Sequence, residues 1–232
     1  PEWIVNSYRD FISNIDELKA LLTANNTPAS PTLVAWPGKS EPTEFSGESG
    51  KYSKYAVHID KAPHEISAIK ERRAGIQDEG SQVLALAFAN AAQANQPWLD
   101  LCAGPGGKAA LLSYLSSEPM YANEVSAARA ELVSQVVKEG TIVNVGDGRE
   151  VRLDVGAVIA DVPCTGLGAL RRRPEVRWRR SAGDIPNLTK LQYELAAQAI
   201  EILPAGGIFA YETCSPHMAE TRAQCASIEK KL

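Results

Sequence analysis

Two cysteines of this chain follow apolar runs, where a thiol could act as a nucleophile. Cys164 comes after the apolar run at residues 155–162, in the sequence Asp-Val-Pro-Cys. Cys214 directly follows the run at residues 207–213, in the sequence Glu-Thr-Cys. A free cysteine taken singly is more often a small buried side chain. Two of them at the ends of two strands, flanked by proline and glycine, favour thiolate chemistry instead. Neither Cys102 nor Cys225 is a candidate nucleophile.

The remaining cysteines and histidines do not predict a metal site. The chain has four cysteines and three histidines, with no CxxC pair and no metal-ligand spacing among them. We therefore expect no metal, and reduced thiols in a cytoplasmic protein. The first residues lack the regions of a signal peptide, and no apolar run approaches the roughly 20 residues that cross a bilayer.

A glycine-rich turn follows a predicted strand at residues 98–102. Residues 100–108 read DLCAGPGGK, and such glycines let the backbone approach a ligand where the next helix presents its N–H groups. An ordinary structural turn is the alternative. The turn lacks the G-x-G-x-x-G spacing of a dinucleotide-binding loop, and Pro105 has no backbone donor.

Two acids end the next two predicted strands. Glu124 lies about 20 residues after the glycine turn, where an acid binds ribose hydroxyls in nucleotide-binding sheets. NAD and S-adenosylmethionine both carry such a ribose, so this acid does not distinguish them. Asp147 could accept a hydrogen bond from an adenine amino group. The alternatives are an ordinary strand-end carboxylate and an ordinary turn aspartate.

Arginines are concentrated in residues 170–180, which read LRRRPEVRWRR in a chain of formal charge −4. A solvated charged face is the alternative. Such a density of arginine around Trp178 in an acidic protein favours a loop that contacts nucleic-acid phosphates. The candidate RNA-binding residues are Arg171, Arg172, Arg173, Arg177, Arg179 and Arg180.

Alternating strands and helices must position these groups. Strands are predicted at 98–102, 120–124, 141–145, 155–162 and 207–213, and helices at 79–94, 107–116, 127–138 and 189–203. This alternation predicts an α/β fold with a doubly wound, mostly parallel sheet. Its ligand crevice is expected at the carboxyl ends of the strands. An apolar content of 44% is enough for a sizeable core.

The sequence predicts two domains. Residues 1–75 suggest a small α+β domain, with a helix at 16–24, a loop at 37–53 and short elements at 55–59 and 63–69. Residues 76–232 hold the doubly wound sheet. A doubly wound sheet of this class usually closes with two more strands, whereas this chain stops in a predicted helix at Leu232. We therefore expect the C-terminal strands to be missing from the chain.

The motifs resemble the RsmB family, also called Sun or Fmu, of ribosomal RNA cytosine-C5 methyltransferases. The resemblance runs from Gly75 to the end of the chain, and its most specific motifs are the paired PC and TCS. The first 75 residues are similar to the RRM-like domain that precedes the catalytic domain in this family. Two residues depart from the family pattern: Gly104 stands where Ala is commoner, and Thr165 where Ser is common. The motifs are GIQDEGSQ, DLCAGPGGK, DVPCTGLG with LRRRPEVRWRR, DIP and YETCS.

The resemblance implies an S-adenosylmethionine-dependent RNA methyltransferase with a Rossmann-like sheet. It makes Cys214 the nucleophile and Cys164 the cysteine that helps to release the product. Asp161 and Lys108 would assist at the cytosine. The implied cofactor-binding residues are Cys102, Ala103, Gly104, Pro105, Gly106, Gly107, Lys108, Glu124, Asp147 and Asp161.

In the implied reaction, a thiolate adds to C6 of cytosine and raises the electron density at C5, which then takes the methyl group. The base must leave its stack, or come from a single-stranded loop, to be reached. Ribosomal RNA is the expected substrate and partner, transfer RNA is the alternative, and a monomer is expected. An NAD-dependent dehydrogenase is disfavoured by the glycine spacing. A non-catalytic RNA-binding module that retains the fold stays open.

Overall fold

A computed structural model describes residues 1–230 of the chain. The predicted helix end at Leu232 lies outside the described residues. The helices are α1 Glu2–Arg9, α2 Ile15–Asn26, α3 Ser67–Lys70, α4 Glu79–Ala91, α5 Gly107–Leu115, α6 Ala127–Ser134, α7 Val176–Arg179, α8 Ile185–Ile202 and α9 Arg222–Glu229. The strands are β1 Thr32–Ala35, β2 Glu48–Ser49, β3 Ala56–His58, β4 Ala74–Ile76, β5 Trp98–Asp100, β6 Tyr121–Glu124, β7 Ile142–Val145, β8 Ala157–Asp161 and β9 Ile208–Glu212.

The larger sheet has five parallel strands in the order β7-β6-β5-β8-β9. Leu99 of β5 lies opposite Tyr121 of β6 on one side and Val158 of β8 on the other. The strand order therefore reverses between β5 and β8, which is the switch point of a doubly wound sheet. This confirms the predicted α/β, Rossmann-like fold class.

All five strands of this sheet begin and end within two residues of their predicted limits. The residues of β8 from Ala157 to Ala160 have no exposed surface, as expected for a strand covered on both faces. The helix predicted at 127–138 is too long, because α6 ends at Ser134. Beyond it, the Lys138 amide donates to the Ser113 hydroxyl (2.9 Å) instead of continuing the helical ladder.

The N-terminal part contains helices and a second, antiparallel sheet in the order β2-β3-β1-β4. Strand β1 and helix α1 were not predicted from the sequence. The chain divides into two compact units. The first comprises Pro1–Ala29, Asp161–Ile200 and the residues from Tyr211 onward, and the second comprises Ser30–Ala160 and Glu201–Ala210. The boundary predicted after residue 75 lies within the second unit, and the RRM-like character of residues 1–75 stays a prediction.

Each unit has its own apolar core. In the first unit, Ile4 and Tyr8 lie one helical turn apart on α1 and pack with Leu18, Leu167 and Leu170. The second unit packs aromatic rings between its sheet and helices, including an edge-to-face pair and a stacked pair. These pairs are Phe88 with Trp98 and Trp36 with Tyr114, each with ring centroids 5.5 Å apart. No helix among residues 1–230 is long and apolar enough to span a membrane.

Candidate active site

The glycine turn connects β5 to α5 in the second unit. Asp100 at the end of β5 is buried, and its Oδ1 accepts from the Cys102 amide at 3.3 Å. Ala103 is buried, whereas Cys102 and Lys108 are half-buried. Helix α5 begins at Gly107 and has no side-chain N-cap, an arrangement in which the first N–H groups of a helix can bind a ligand. The turn is thus held by a buried strand and a buried helix.

Glu124 at the end of β6 is buried, with 3% of its surface exposed. One carboxylate oxygen accepts from the Gly104 amide at 3.0 Å. The other accepts from the Ser126 amide at 2.8 Å and from the Arg129 guanidinium at 2.5 Å. A Cβ at position 104 would overlap the Glu124 carboxylate, so the departure from alanine gives this acid its room.

Asp147, after β7, is bound by a neighbour in its own turn. Its carboxylate accepts from the Arg149 amide at 3.0 Å and from the Arg149 Nη2 at 2.6 Å. These bonds hold the pKa of Asp147 below its usual range. An adenine amino group would therefore have to share this carboxylate with Arg149.

Gln77 is a buried residue beside the glycine turn that the sequence did not single out. A Cβ on Gly107 would lie 4.0 Å from the Gln77 amide carbon. Gln77 is 7% exposed, and its Oε1 has no hydrogen-bond partner among residues 1–230. A buried acceptor, an uncapped helix start and the Glu124 carboxylate together fit a ligand that carries an amino acid and a ribose.

The two cysteines of the first unit meet where β8 and β9 end. The Cys164 and Cys214 sulfurs are 3.3 Å apart, and Cys214 is exposed while Cys164 is half-buried. The Gly168 amide donates to the Cys214 carbonyl at 2.8 Å, and a Cβ on Gly168 would lie 2.6 Å from that oxygen. A glycine at 168 therefore allows the two turns to approach. Asp161, the last residue of β8, is half-buried.

Cys164 has thiolate character near neutral pH. The pKa of Cys164 is lowered to about 7, chiefly by the hydrogen bond from Cys214. Burial and the charge of Glu220 act in the opposite direction, while Thr213 and the Gly166 amide help to lower it. A pair this close titrates as a unit, with one thiol stabilising the thiolate of the other.

A family model described as 16S rRNA methyltransferase RsmB/F matches residues 87–232. The chain belongs to this family. Membership confirms the resemblance predicted from the motifs, and it confirms S-adenosylmethionine as the cofactor. The groups around the glycine turn fit that cofactor.

Curated relatives are about twice as long as this chain. Rv1407 of Mycobacterium tuberculosis (strain ATCC 25618 / H37Rv), whose name describes a methyltransferase, is 42% identical over 236 residues, covering 95% of this chain and 51% of the relative. The ribosomal RNA small subunit methyltransferase B of Cronobacter sakazakii is 30% identical over 238 residues, covering 93% and 54%. The chain thus spans about half the length of the curated relatives that it matches.

Solved structures share the fold. PH0851 matches with a TM-score of 0.86 at 23% identity, covering 99% of this chain and 56% of that one. NSun6 from Pyrococcus horikoshii with SFG matches with a TM-score of 0.82 at 14% identity, covering 100% and 87%. At these identities the likeness concerns the fold alone.

The six arginines of this RsmB/F chain fall into different environments. Arg177 donates to the Asn25 carbonyl and the Asn26 side chain, both at 2.8 Å, and Arg171 donates to the Thr27 carbonyl at 3.1 Å. These two tie the segment to the end of α2. Arg172 is also exposed. Three further arginines are exposed and form no side-chain hydrogen bond or ion pair with residues 1–230, and they surround an indole that is 80% exposed. They are Arg173, Arg179 and Arg180, around Trp178.

Three candidate functional residues of this RsmB/F chain were not predicted from the sequence: Gln77, Arg129 and Glu220. Gln77 lies within the GIQDEGSQ motif, which was a usable signal. Arg129 and Glu220 gave none, because their partners are fixed only by tertiary structure. Among residues 1–230, no group of three His, Cys, Asp or Glu side chains could hold a metal ion.

Proposed function

We propose that this chain carries the catalytic part of an RNA (cytosine-C5)-methyltransferase that acts on ribosomal RNA through a covalent adduct between Cys214 and C6. The observation that carries this proposal is the pair of thiols 3.3 Å apart, one of them exposed. Two thiols are needed when one must attack C6 of cytosine and the other must assist the departure of the attacking thiolate from the methylated base. Such chemistry requires reduced thiols, which suits the cytoplasm.

The residues act in sequence on the cytosine. The Cys214 thiol passes its proton to the neighbouring Cys164 thiolate. The exposed Cys214 sulfur then adds to C6 and places a negative charge on the ring, which makes C5 nucleophilic. Bound S-adenosylmethionine supplies the methyl group. Loss of the C5 proton to a base and departure of the Cys214 thiolate then restore the C5–C6 double bond, with Cys164 assisting the departure. Asp161 would hydrogen-bond the cytosine edge and Lys108 would stabilise the charge shift.

The cofactor would be held by groups of the second unit. The backbone of residues 102–108 would approach its amino-acid end, and Gln77 offers a buried acceptor there. Glu124 would accept from the ribose hydroxyls, and Asp147 from the adenine amino group. Each of these carboxylates now accepts from an arginine, so binding would exchange part of that contact for a ligand donor.

The RNA would lie along the arginine segment. Arg171 and Arg177 use part of their donors within the protein. The first choice for phosphate contacts is therefore the exposed set Arg173, Arg179 and Arg180. The exposed Trp178 indole among them is suited to stacking on an unpaired base. Single-stranded RNA offers both phosphates and bases, and the target cytosine must itself be unpaired.

Release of tritium tests this function directly. RNA transcripts labelled with tritium at C5 of cytosine are incubated with the protein and S-adenosylmethionine, because methylation at C5 displaces that hydrogen into water. We expect release from small-subunit ribosomal RNA and none from transfer RNA. Release from transfer RNA alone would select the other substrate. Methyl incorporation without tritium release would place the modification on another atom, and no reaction at all would favour a non-catalytic RNA-binding module.

A further inference from the structure

A fully buried carboxylate joins the two cysteine turns. Glu220 is 0% exposed. It accepts from the Thr165 amide at 2.9 Å and from the Thr165 hydroxyl at 2.5 Å. The Thr165 hydroxyl also lies 2.9 Å from the Ser215 hydroxyl. Because Thr165 gives its only hydroxyl proton to Glu220, Ser215 must be the donor in that second bond.

Thr165 and Ser215 directly follow Cys164 and Cys214 in the chain. One continuous set of hydrogen bonds therefore runs from the carboxylate to the residue beside each thiol. A buried carboxylate is unfavourable unless donors surround it, and the donors that surround Glu220 include the amide and the hydroxyl of Thr165. A change in the hydrogen bonds of Glu220 would therefore act on both cysteine turns.

Glu220 is itself fixed by neutral donors. The Gln192 amide donates to the Glu220 carboxylate at 3.0 Å and to the Pro163 carbonyl at 2.9 Å. The Tyr211 hydroxyl lies 2.9 Å from the Glu220 carbonyl oxygen and 3.1 Å from the Gln192 side-chain oxygen, and these two acceptors share its one proton. Burial raises the pKa of Tyr211, so its hydroxyl remains a donor. The carboxylate thus has little freedom to move.

We propose that Glu220 is a positioning residue for the cysteine pair, an inference that rests on the function proposed above. Through Thr165 and Ser215 it fixes the backbone next to each cysteine and so holds the two sulfurs at hydrogen-bonding distance. If Glu220 served only the stability of the fold, a Glu220 variant that still folds would keep the two sulfurs at the same spacing.

Binding of phenylarsine oxide measures that spacing without requiring methylation. Arsenic bridges two neighbouring thiols: its bond to oxygen breaks, two arsenic–sulfur bonds form, and the thiol protons leave with the oxygen as water, with no change of oxidation state. Calorimetric titration of the full chain is expected to show one strong site. Cys214→Ala should remove it and leave the background of the other thiols.

Glu220→Gln and Thr165→Val should weaken arsenical binding about tenfold to a hundredfold, the range for hydrogen bonds to a charged group. Thr165→Ser keeps the hydroxyl and should stay within about threefold of the wild type. Circular dichroism checks that each variant is folded. Should Glu220→Gln not fold, the comparison of Thr165→Val with Thr165→Ser decides. Unchanged arsenical affinity in the folded variants overturns the inference.

Methylation kinetics separate this inference from the proposed function. Glu220→Gln should lower kcat about tenfold or more and leave KM for RNA within about twofold, because the arginines proposed to bind RNA lie elsewhere on the chain. Full methylation by Cys214→Ala would overturn the proposed function and leave the arsenical result standing. A rise in KM with unchanged kcat in Glu220→Gln would contradict a role in positioning the thiols.

Discussion

Two buried carboxylates of this chain, Glu124 and Glu220, are held by different kinds of partner. Glu124 accepts from an arginine whose side chain is 52% exposed. Glu220 accepts from Thr165 and Gln192, which are 1% and 0% exposed. A long exposed side chain can swing into water with little loss, whereas a buried partner cannot leave without an unpaired group.

The difference indicates which part of the site can rearrange when a ligand binds and which part is already in its final arrangement. Around Glu124, the Arg129 side chain can give way to a ligand that brings its own donors, while the Gly104 and Ser126 amides keep the carboxylate in place. Around Glu220, the partners keep two thiols in one arrangement before any substrate arrives, and such preorganisation lowers the barrier of a covalent step. The following predictions test this contrast, beginning with the largest effect.

The largest effect is expected at the cysteine pair. Cys214→Ala should abolish methylation and form no covalent adduct, while cofactor binding persists. Cys164→Ala should still attack and methylate, but then retain the RNA as a covalent adduct that depends on S-adenosylmethionine. A denaturing gel shows this adduct as a slow band.

The exposed Cys225 in α9 provides a matched control, since Cys225→Ala should change neither methylation nor the gel. Adducts from Cys214→Ala, with none from Cys164→Ala, would reverse the two roles. Similar losses of stability in both variants, with no adduct from either, would make these thiols ordinary structural side chains.

The second effect concerns the pH dependence of the pair. The thiolate is the reactive form, so alkylation of Cys164 by iodoacetamide should rise with pH through a midpoint near 7. Cys214→Ala removes the hydrogen bond that chiefly lowers the pKa of Cys164. The midpoint in this variant should therefore move up toward the ordinary thiol value of about 8.5. Mass spectrometry of the Cys164 peptide follows the rate. A midpoint that stays near 7 in the variant would mean that Cys214 does not stabilise the Cys164 thiolate.

The third effect concerns Glu124 and the cofactor. Glu124→Ala should weaken S-adenosylmethionine binding roughly tenfold to a hundredfold, because the variant has no charged acceptor for the ribose hydroxyls. The exposed Glu118 is the control, and its replacement by Ala should have no effect. Arg129→Gln should change the affinity less than Glu124→Ala does, since this arginine is expected to move aside. Calorimetric titration decides between these outcomes, and equal affinities for wild type and Glu124→Ala would make Glu124 an ordinary strand-end residue.

The smallest effect is expected in the salt dependence of RNA binding. Replacing Arg173, Arg179 and Arg180 by Gln should lower the log–log salt slope by about 0.7 for each single-strand phosphate that the variant no longer neutralises. Arg177→Gln should instead lower the melting temperature, because its bonds to α2 are internal. An unchanged slope in the triple variant would make the segment a solvated face.

Much of the fold was predictable from local pattern. The strands of the parallel sheet lie between turn residues, and β8, an apolar run that is buried on both faces, gives the strongest signal. Helix α1 was missed because its N-cap, Pro1, makes no side-chain cap. Strand β1 was missed because its pairing with β3 and β4 is distant in sequence and leaves no local signal.

The site was less predictable than the fold. The motifs placed Cys164 and Cys214 at neighbouring strand ends, and the structure brings their sulfurs together. The sequence could not reveal that Glu220 supports them, because an acid in a short turn looks like a surface residue. Nor could the sequence separate the arginines that bind within the protein from those that are exposed. Arg177 differs from Arg173 only in the residues that the fold places beside it.

The first 29 residues share a core with the loop that follows Cys164. The Tyr8 hydroxyl donates to the Leu167 carbonyl at 2.7 Å, and Leu167 and Leu170 pack against α1 and α2. These distant stretches must therefore be inherited together. A chimaera that exchanges residues 1–75 for those of a relative would replace the α1 and α2 side of this core and keep Leu167 and Leu170 opposite it. We therefore expect such a chimaera to be less stable than a chain in which both sides of the core come from one parent.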